Sequence, residues 1–295
     1  MPCFASRREL LYRVMDRELV YRTREAGNPY SASIGRFFEH QSLLTGLYLE
    51  LRTRLKHLAA LAQPRVEAWA MKDPDGAVLG SNLYVQDLTA RGSEPRYLLT
   101  GHQYDVSPAK YLEVESGLAR WVGAWVVAQS FEGFESFVKD VAAQLVVDRE
   151  DLPGLNKREK WERLARNRGK PSVDWASFES AREAIPERQC LPLIRAAVPQ
   201  LREIEEKNDL GLQLQTWLRV AADVRNAATH GGGVISGRVA ARMGPSRWEL
   251  LRSLFSCEME EGQYRLVLHP EEVERAAETF RAYAYLIYAT VCEVA

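Results

Sequence analysis

This chain of 295 residues has little of what marks a secreted or metal-binding protein. Its four cysteines are far apart and form no CxxC pair, which argues against a disulfide framework and against a zinc site built on paired thiolates. Its five histidines are also scattered, and none has the spacing of an HExxH metal site. The sequence therefore predicts neither a metal ion nor a cofactor.

Long apolar runs and a strong net charge are missing as well. No apolar stretch reaches the roughly 18 residues that cross a bilayer, and the first residues lack the apolar segment of a signal peptide. We therefore expect a cytoplasmic protein with no membrane partner. The formal net charge is -1, so a nucleic-acid partner would need a local basic patch rather than a positive field around the whole molecule.

The composition otherwise fits a globular protein, with 46% apolar and 27% charged residues. Arginine outnumbers lysine 31 to 8. Arginine contacts phosphate through two parallel hydrogen bonds more readily than lysine does. Genomic base composition explains the same excess more simply, and the sequence leaves both explanations open.

The N-terminal third has mixed character. Leucines recur at three- and four-residue steps over residues 34–62, which predicts a helix. Short apolar runs near residues 78–85 and 97–99 predict strands. We expect residues 1–105 to form a small α+β module of unknown role.

Long helices are predicted from residue 106 onward. Ser107-Pro108 is a favourable helix start, because serine can cap free amides and proline suits the first helical turn. Periodic apolar positions predict further helices, a β-hairpin near residues 255–268, and a last helix from His269-Pro270. Residues 106–295 are thus predicted to form a helical domain with one small hairpin, so that the protein is mainly α. Four aromatic residues at helical spacing are predicted to lie in its core: Trp121, Trp125, Trp217 and Phe280.

One hexapeptide, Arg225-Asn226-Ala227-Ala228-Thr229-His230, ends the predicted helix 210–230 and runs into three glycines. It places a cation, an amide and an imidazole at a helix end. The Arg–His spacing alone has little weight, because Arg52 with His57 and Arg96 with His102 show a similar spacing.

Three features separate this match from the other two. Asp223, Asn226 and His230 lie at i, i+3 and i+7 on one helical face, so we expect Asn226 to hydrogen-bond His230 and fix its ring. The following glycines leave the backbone approachable beside His230. Helical segments also flank the motif on both sides.

With this motif the chain resembles the HEPN superfamily, whose domains are bundles of four or five helices. Their signature is an arginine, four to six residues and a histidine near the end of a late helix, commonly with asparagine directly after the arginine. The resemblance covers roughly residues 106–295, and it includes the apolar-aromatic segment 128–137. A subset of the family has tyrosine two residues after the histidine. Gly232 stands there in this chain, so the chemistry tied to that tyrosine is not carried over.

The resemblance implies a metal-independent endoribonuclease, in which a ribose 2′-OH attacks the neighbouring phosphate. His230 would be the general acid or base, since imidazole exchanges protons near neutral pH. Arg225 would neutralise charge on the phosphate. Asn226 would orient His230 or the phosphate.

The expected partners are RNA and a second copy of the chain. One motif supplies one proton-transferring group, and a two-fold homodimer would supply both an acid and a base. The family also implies a toxin or antiviral defence effector, with a neutralising or sensing protein as a further partner.

Two alternatives remain open. The domain could be a catalytically inactive HEPN module that binds a partner protein, a nucleotide or RNA. The motif could also be structural, with Arg225 paired to Asp223 or to a neighbouring helix. Glu132 and Glu135, on the helix that carries the aromatic segment, either support the site or are solvated residues of a helix face.

Overall fold

The computed structural model describes residues 27–73, 78–86, 97–149, 158–167, 172–260 and 262–294. Over these residues the protein is mainly helical, as predicted, with ten helices and five strands. The helices are α1 (Ser31–Lys72), α2 (Pro108–Asp148), α3 (Arg158–Asn167), α4 (Phe178–Ala184), α5 (Glu187–Ala197), α6 (Gln200–Glu206), α7 (Leu214–His230), α8 (Gly237–Met243), α9 (Pro245–Leu254) and α10 (Pro270–Val294). The strands are β1 (Val78–Gln86), β2 (Tyr97–Val106), β3 (Val234–Ile235), β4 (Ser256–Glu260) and β5 (Gln263–Val267).

The described residues fall into two compact units. One comprises residues 27–46 and 123–294, and the other comprises residues 47–122. The division of the chain at residue 105 stays a prediction, and residues 1–26 of the predicted N-terminal module lie outside the described residues. Among the described helices, none combines the length and the apolar character needed to cross a membrane.

The core of the first unit is an aromatic cluster shared by α1, α2, α7 and α10. Phe134 of α2 stacks on Tyr283 of α10 with ring centroids 5.1 Å apart. Trp217 of α7 meets Phe280 of α10 edge-on at 4.6 Å. Trp217 and Phe280 are fully buried, which confirms their prediction as core residues. This cluster fixes α7, the helix that carries the motif, between α2 and α10.

The prediction that Trp121 and Trp125 lie in the core is wrong. Their exposed fractions are 62% and 36%. The segment around them is apolar on nearly every side, so three- and four-residue spacing does not select one face. Val122, Val126 and Val127 take the buried positions of α2 instead.

A buried carboxylate links three helices of the first unit. Asp140 of α2 accepts hydrogen bonds from Arg36 of α1 at 2.8 Å and from Arg182 of α4 at 2.5 Å. The Asp140 side chain is only 7% exposed, and two arginines compensate for its burial. The contact fixes α1 and α4 on one side of α2.

The second unit contains an antiparallel pair of strands. Strand β1 pairs with β2, from Val78 opposite Val106 to Gln86 opposite Tyr97, and the register shifts on both sides of Asn82. The predicted strands at residues 78–85 and 97–99 are therefore confirmed, and the second of them is longer than predicted.

Several helix bounds depend on local chemistry. Helix α1 includes the predicted segment 34–62 and continues to Lys72. Helix α2 continues through Gly117 without interruption. Helices α5 and α6 are separate, because Val198 precedes Pro199 and leaves the helical conformation.

The small sheet of the first unit has the strand order β3-β5-β4 and is antiparallel. Strands β4 and β5 form the predicted hairpin, and β3 adds a short third strand directly after the glycine turn. Helix α10 begins at Pro270, as predicted. Glu272 accepts hydrogen bonds from the backbone amides of His269 and Ser256, both at 3.0 Å, so one carboxylate caps the helix and holds the start of β4.

Candidate functional site

Helix α7 carries the hexapeptide and is fixed by its apolar face. Its buried positions are spaced by three or four residues: Leu214, Trp217, Val220, Ala221, Val224 and Ala227. The helix ends at His230, as the sequence predicts. The polar residues of the motif are thereby placed at the edges of the buried face and at the helix end.

A compact turn of three glycines stops the helix. The amides of Gly231 and Gly233 donate to the Ala227 carbonyl at 3.0 and 2.9 Å. Gly232 and Gly233 have φ angles of +59° and +84°, in the region that favours glycine. The Gly233 carbonyl then accepts a hydrogen bond from Leu266 of β5 at 2.9 Å. The position of His230 is therefore set by a turn anchored to the sheet.

Gly231 is the sterically demanding glycine of this turn, and Gly231→Ala tests it. A Cβ atom there would lie 2.6 Å from the Val234 carbonyl oxygen and 3.1 Å from that of Ala227. We expect the alanine variant to lose about 1–3 kcal/mol of stability, because backbone rather than a flexible side chain must move. The measurement is the midpoint of thermal or urea unfolding.

Gly35→Ala is the matched control for this variant. Gly35 lies inside α1, and a Cβ atom there would have no neighbour within 4 Å. Because alanine favours a helix over glycine by about 1 kcal/mol, this control is expected to be neutral or stabilising. Equal unfolding midpoints for the two variants would contradict the role given to Gly231.

Arg225 projects from α7 toward α2. Its Nε atom lies 3.0 Å from Glu132 Oε1, and its Nη2 atom lies 3.3 Å from Glu135 Oε2. The guanidinium carbon is 5.2 Å from the centroid of the Phe131 ring. The Nε–H bond does not point at Glu132, so that contact is an ion pair without a hydrogen bond. Arg225 is thus held by two carboxylates and an aromatic face.

The carboxylates differ in their surroundings. The Glu132 side chain is 48% exposed and that of Glu135 is 32% exposed. Burial raises the pKa of Glu135 above its ordinary value, and the nearby Arg225 offsets part of that rise. Both glutamates contact Arg225 of the motif, Glu135 is the more enclosed of the two, and Glu132 is also an exposed residue of the helix face.

Asn226 is paired with Arg225 and not with His230. Its Oδ1 atom accepts a hydrogen bond from Arg225 Nη1 at 3.1 Å. The predicted hydrogen bond from Asn226 to His230 is therefore wrong for this structure, because the exposed amide turns toward the neighbouring guanidinium. In this chain Asn226 therefore helps to orient the cation rather than the imidazole.

Asp223 is likewise paired with a residue other than His230. Its carboxylate pairs with Arg247 at the start of α9, and Arg247 donates a second hydrogen bond to the Arg219 carbonyl at 3.3 Å. Burial raises the pKa of Asp223, and Arg247 lowers it again in part. Asp223 consequently joins α9 to α7 and lies outside the group formed by Arg225, Asn226 and the two glutamates.

His230 is exposed at the last position of α7. Within the described part of the chain its ring makes no hydrogen bond or ion pair. It lies five positions after Arg225, which corresponds to about 140° around the helix axis. Arg225 therefore faces α2 while His230 faces solvent, and a ligand contacting both would have to approach the end of the helix.

The side chains that contact Arg225 could not be predicted from the sequence pattern. Glu132 and Glu135 are about 90 residues away in the chain, and the one sequence signal for them is their i, i+3 spacing on a helix with an apolar-aromatic face. Phe131 and Arg247 gave no signal, because each contributes only through tertiary packing. In the described residues no cluster of three or more histidine, cysteine, aspartate or glutamate side chains is arranged to hold a metal ion.

Comparisons with known proteins give no match for this chain. It matches no protein-family model, and neither a curated protein nor a solved structure matches it. Its function must therefore be argued from the geometry of α7 and its neighbours.

Proposed function

We propose that this protein is a metal-independent endoribonuclease of the HEPN type, acting as a toxin or antiviral defence effector. The observation that supports the proposal best is the pairing of an anchored arginine with an exposed, unengaged histidine at one helix end. Cleavage of a phosphodiester by 2′-OH attack uses proton-transferring groups and a cation that neutralises charge on the phosphate, and each chain offers one of each.

His230 transfers the proton in this proposal. Its ring is free to accept the proton of a ribose 2′-OH or to donate one to the leaving oxygen. Arg225 neutralises the charge that builds on the phosphate oxygens, and its planar fork suits that task. Asn226 and Glu135 hold the guanidinium in place. Asp223 does not contact the substrate in this proposal, and its role is to hold α9 against α7.

A second copy of the chain completes the site in this proposal. In-line transfer benefits from a base and an acid, whereas each chain offers one exposed histidine in the motif. A two-fold axis near the end of α7 would bring the two His230 rings to one phosphate. The partners are therefore RNA and a homodimer mate, with a neutralising or sensing protein as regulator.

One observation favours the alternative, a catalytically silent module that binds a protein, a nucleotide or RNA. Arg225 already contacts two carboxylates, Asn226 and the Phe131 ring. An arginine so engaged stabilises the contact between α7 and α2 without any substrate. RNA cleavage separates the two functions, because the nuclease needs both Arg225 and His230 whereas the contact between α7 and α2 needs only Arg225.

The test is RNA degradation by the purified full chain in EDTA, compared between wild type and Arg225→Ala. We expect wild type to cleave and Arg225→Ala to lose roughly 10²–10³-fold in rate, the usual consequence of removing one group that stabilises transition-state charge. Arg225→Lys keeps the cation against the two glutamates but lacks the fork, so it keeps the fold and loses most of the activity.

Arg202→Ala is the control, because Arg202 is an exposed arginine on α6. It is expected to cleave like wild type. Toxicity on expression, relieved by Arg225→Ala but not by Arg202→Ala, is the matching result in cells. A wild-type protein that leaves RNA intact in EDTA would contradict the nuclease and favour the silent module. An Arg225→Lys variant as active as wild type would instead contradict the role given to the planar guanidinium group.

A further inference from the structure

Helices α8 and α9, which follow the motif in the chain, carry a local excess of positive charge. Residues 237–252 contain four arginines against a single glutamate, whereas the whole chain has a formal charge of -1. A local patch of this kind is what a nearly neutral protein needs in order to bind a polyanion.

Arg252 is exposed near the end of α9, and the other three arginines have different roles. Arg247 is neutralised by Asp223 and packs α9 on α7. Arg238 and Arg242 are exposed, and in the part of the chain that the structure describes they make no hydrogen bond or ion pair. They are four residues apart on α8, so they share one face of that helix. Two uncompensated guanidinium groups therefore project from the same face.

The position of α8 relative to the motif is fixed by several contacts. Only six residues separate His230 from Gly237, the first residue of α8, and they include the glycine turn and strand β3. Ser236 caps α8 by accepting a hydrogen bond from the Val239 amide at 3.3 Å. Helix α9 contacts both α8 and α7. The arginine pair is therefore carried by a helix that follows the candidate site closely in the chain and that contacts α9, which in turn contacts α7.

Exposed Arg219 adds a further positive charge to this region. It lies on α7, and its carbonyl accepts the hydrogen bond from Arg247. Like the pair on α8, its side chain has no hydrogen-bond or ion-pair partner among the described residues. Positive charge is thus present on α7, which precedes the glycine turn, and on α8, which follows the turn and strand β3.

We infer that Arg238 and Arg242, supported by Arg219, form a surface that binds the phosphate backbone of single-stranded RNA and leads it to the end of α7. This inference rests on the proposed nuclease function for its choice of RNA. Planar guanidinium groups bind phosphate oxygens in pairs, and such contacts position a strand without specifying its sequence. The surface therefore supplies affinity, while the 2′-OH requirement at His230 supplies the selectivity for RNA.

The test is binding of a short fluorescent single-stranded RNA to the full chain carrying His230→Ala, measured over a series of salt concentrations. Adding Arg238→Gln and Arg242→Gln is expected to weaken binding roughly tenfold and to reduce the slope of log affinity against log salt by ~1.4, which corresponds to two lost phosphate contacts. A DNA strand of the same sequence is expected to show the same dependence on the two arginines, because the contacts are to phosphate.

The control removes two charges elsewhere. Arg188 on α5 and Arg202 on α6 are exposed, and Arg188→Gln with Arg202→Gln gives the same net charge. This variant is expected to bind RNA like its parent. Three results would overturn the inference. Equal weakening by both double variants would show a general charge effect, and no weakening by either would mean that the RNA binds elsewhere. Absence of RNA binding by the parent protein would favour an acidic protein as the partner of this surface.

The two proposals fail separately. If wild type cleaves RNA but Arg238 and Arg242 do not affect binding, the surface is wrong and the nuclease stands. If the two arginines control binding but wild type cleaves no RNA, the surface stands and the nuclease is wrong.

Discussion

Replacing His230 with alanine is expected to lower the rate of RNA cleavage by about 10²–10⁴-fold, the usual contribution of a positioned proton-transfer group. The fold should not change, because the side chain is exposed and makes no hydrogen bond or ion pair with the described residues. The measurements are cleavage of RNA in EDTA and the Tm of the same preparation. Lost activity at an unchanged Tm would separate chemistry from stability.

The chain offers a matched control for this variant. His57 is exposed on α1 and follows Arg52 at the same spacing as His230 follows Arg225. His57→Ala is expected to cleave like wild type. If His57→Ala and His230→Ala lose activity to the same extent, the motif has no special role and the Arg–His spacing is coincidental.

Subunit mixing extends the His230 test to the proposed dimer. Wild-type and His230→Ala chains can be co-expressed at different ratios and purified together. If both histidines act on one phosphate, activity should fall as the square of the wild-type fraction, because mixed dimers lack one of the two groups. A linear fall would mean that one histidine suffices and that the acid and the base do not come from two chains.

The helical framework could be predicted from the sequence because helix ends depend on local chemistry. Pro108, Pro270 and the glycines after His230 mark boundaries that the structure keeps. Where the apolar pattern covers one face, as in α7, the buried residues also follow. Where it covers the whole helix, as around Trp121 and Trp125, the pattern does not determine which side faces the core.

The contacts of the candidate site could be predicted less well, because they join segments distant in the chain. The position of Arg225 at a helix edge is local information, but its pairing with Glu135 requires the packing of α7 against α2. Asn226 shows a different limit, a competition between neighbours on one helix. Its spacing predicted a hydrogen bond with His230, but its amide oxygen accepts from the guanidinium of the adjacent Arg225 instead.

A buried ionic network between α5, α6 and α10 gives the largest stability effect that we expect. Glu205 of α6 is 3% exposed and accepts three hydrogen bonds from Arg195. Arg195 Nε donates to Oε2 at 2.8 Å and to Oε1 at 3.1 Å, and Arg195 Nη2 donates to Oε1 at 2.9 Å. The Tyr283 hydroxyl donates to Glu205 Oε1 at 2.5 Å and accepts from Arg195 Nη2 at 2.9 Å. Burial raises the pKa of Tyr283, so its hydroxyl stays protonated as the donor.

Glu205→Ala is expected to destabilise the protein by about 3–5 kcal/mol, because it leaves the charge of Arg195 buried without its partner. The Arg195 side chain is 11% exposed, so water cannot replace the carboxylate without opening the packing. The measurement is urea unfolding followed by tryptophan fluorescence, with Glu206→Ala as control, since Glu206 is exposed on the same helix. The control should unfold like wild type.

A compensating double variant shows whether the cost comes from the unpaired charge. Glu205→Leu with Arg195→Met replaces both ions by apolar side chains, and such replacements of buried ion pairs are often neutral or stabilising. We expect the double variant to recover most of the stability that Glu205→Ala loses. It should remain about 1 kcal/mol less stable than wild type, because the Tyr283 hydroxyl is left without a hydrogen-bond partner. If it is as unstable as Glu205→Ala, the geometry of the network rather than charge compensation holds α6 against α10.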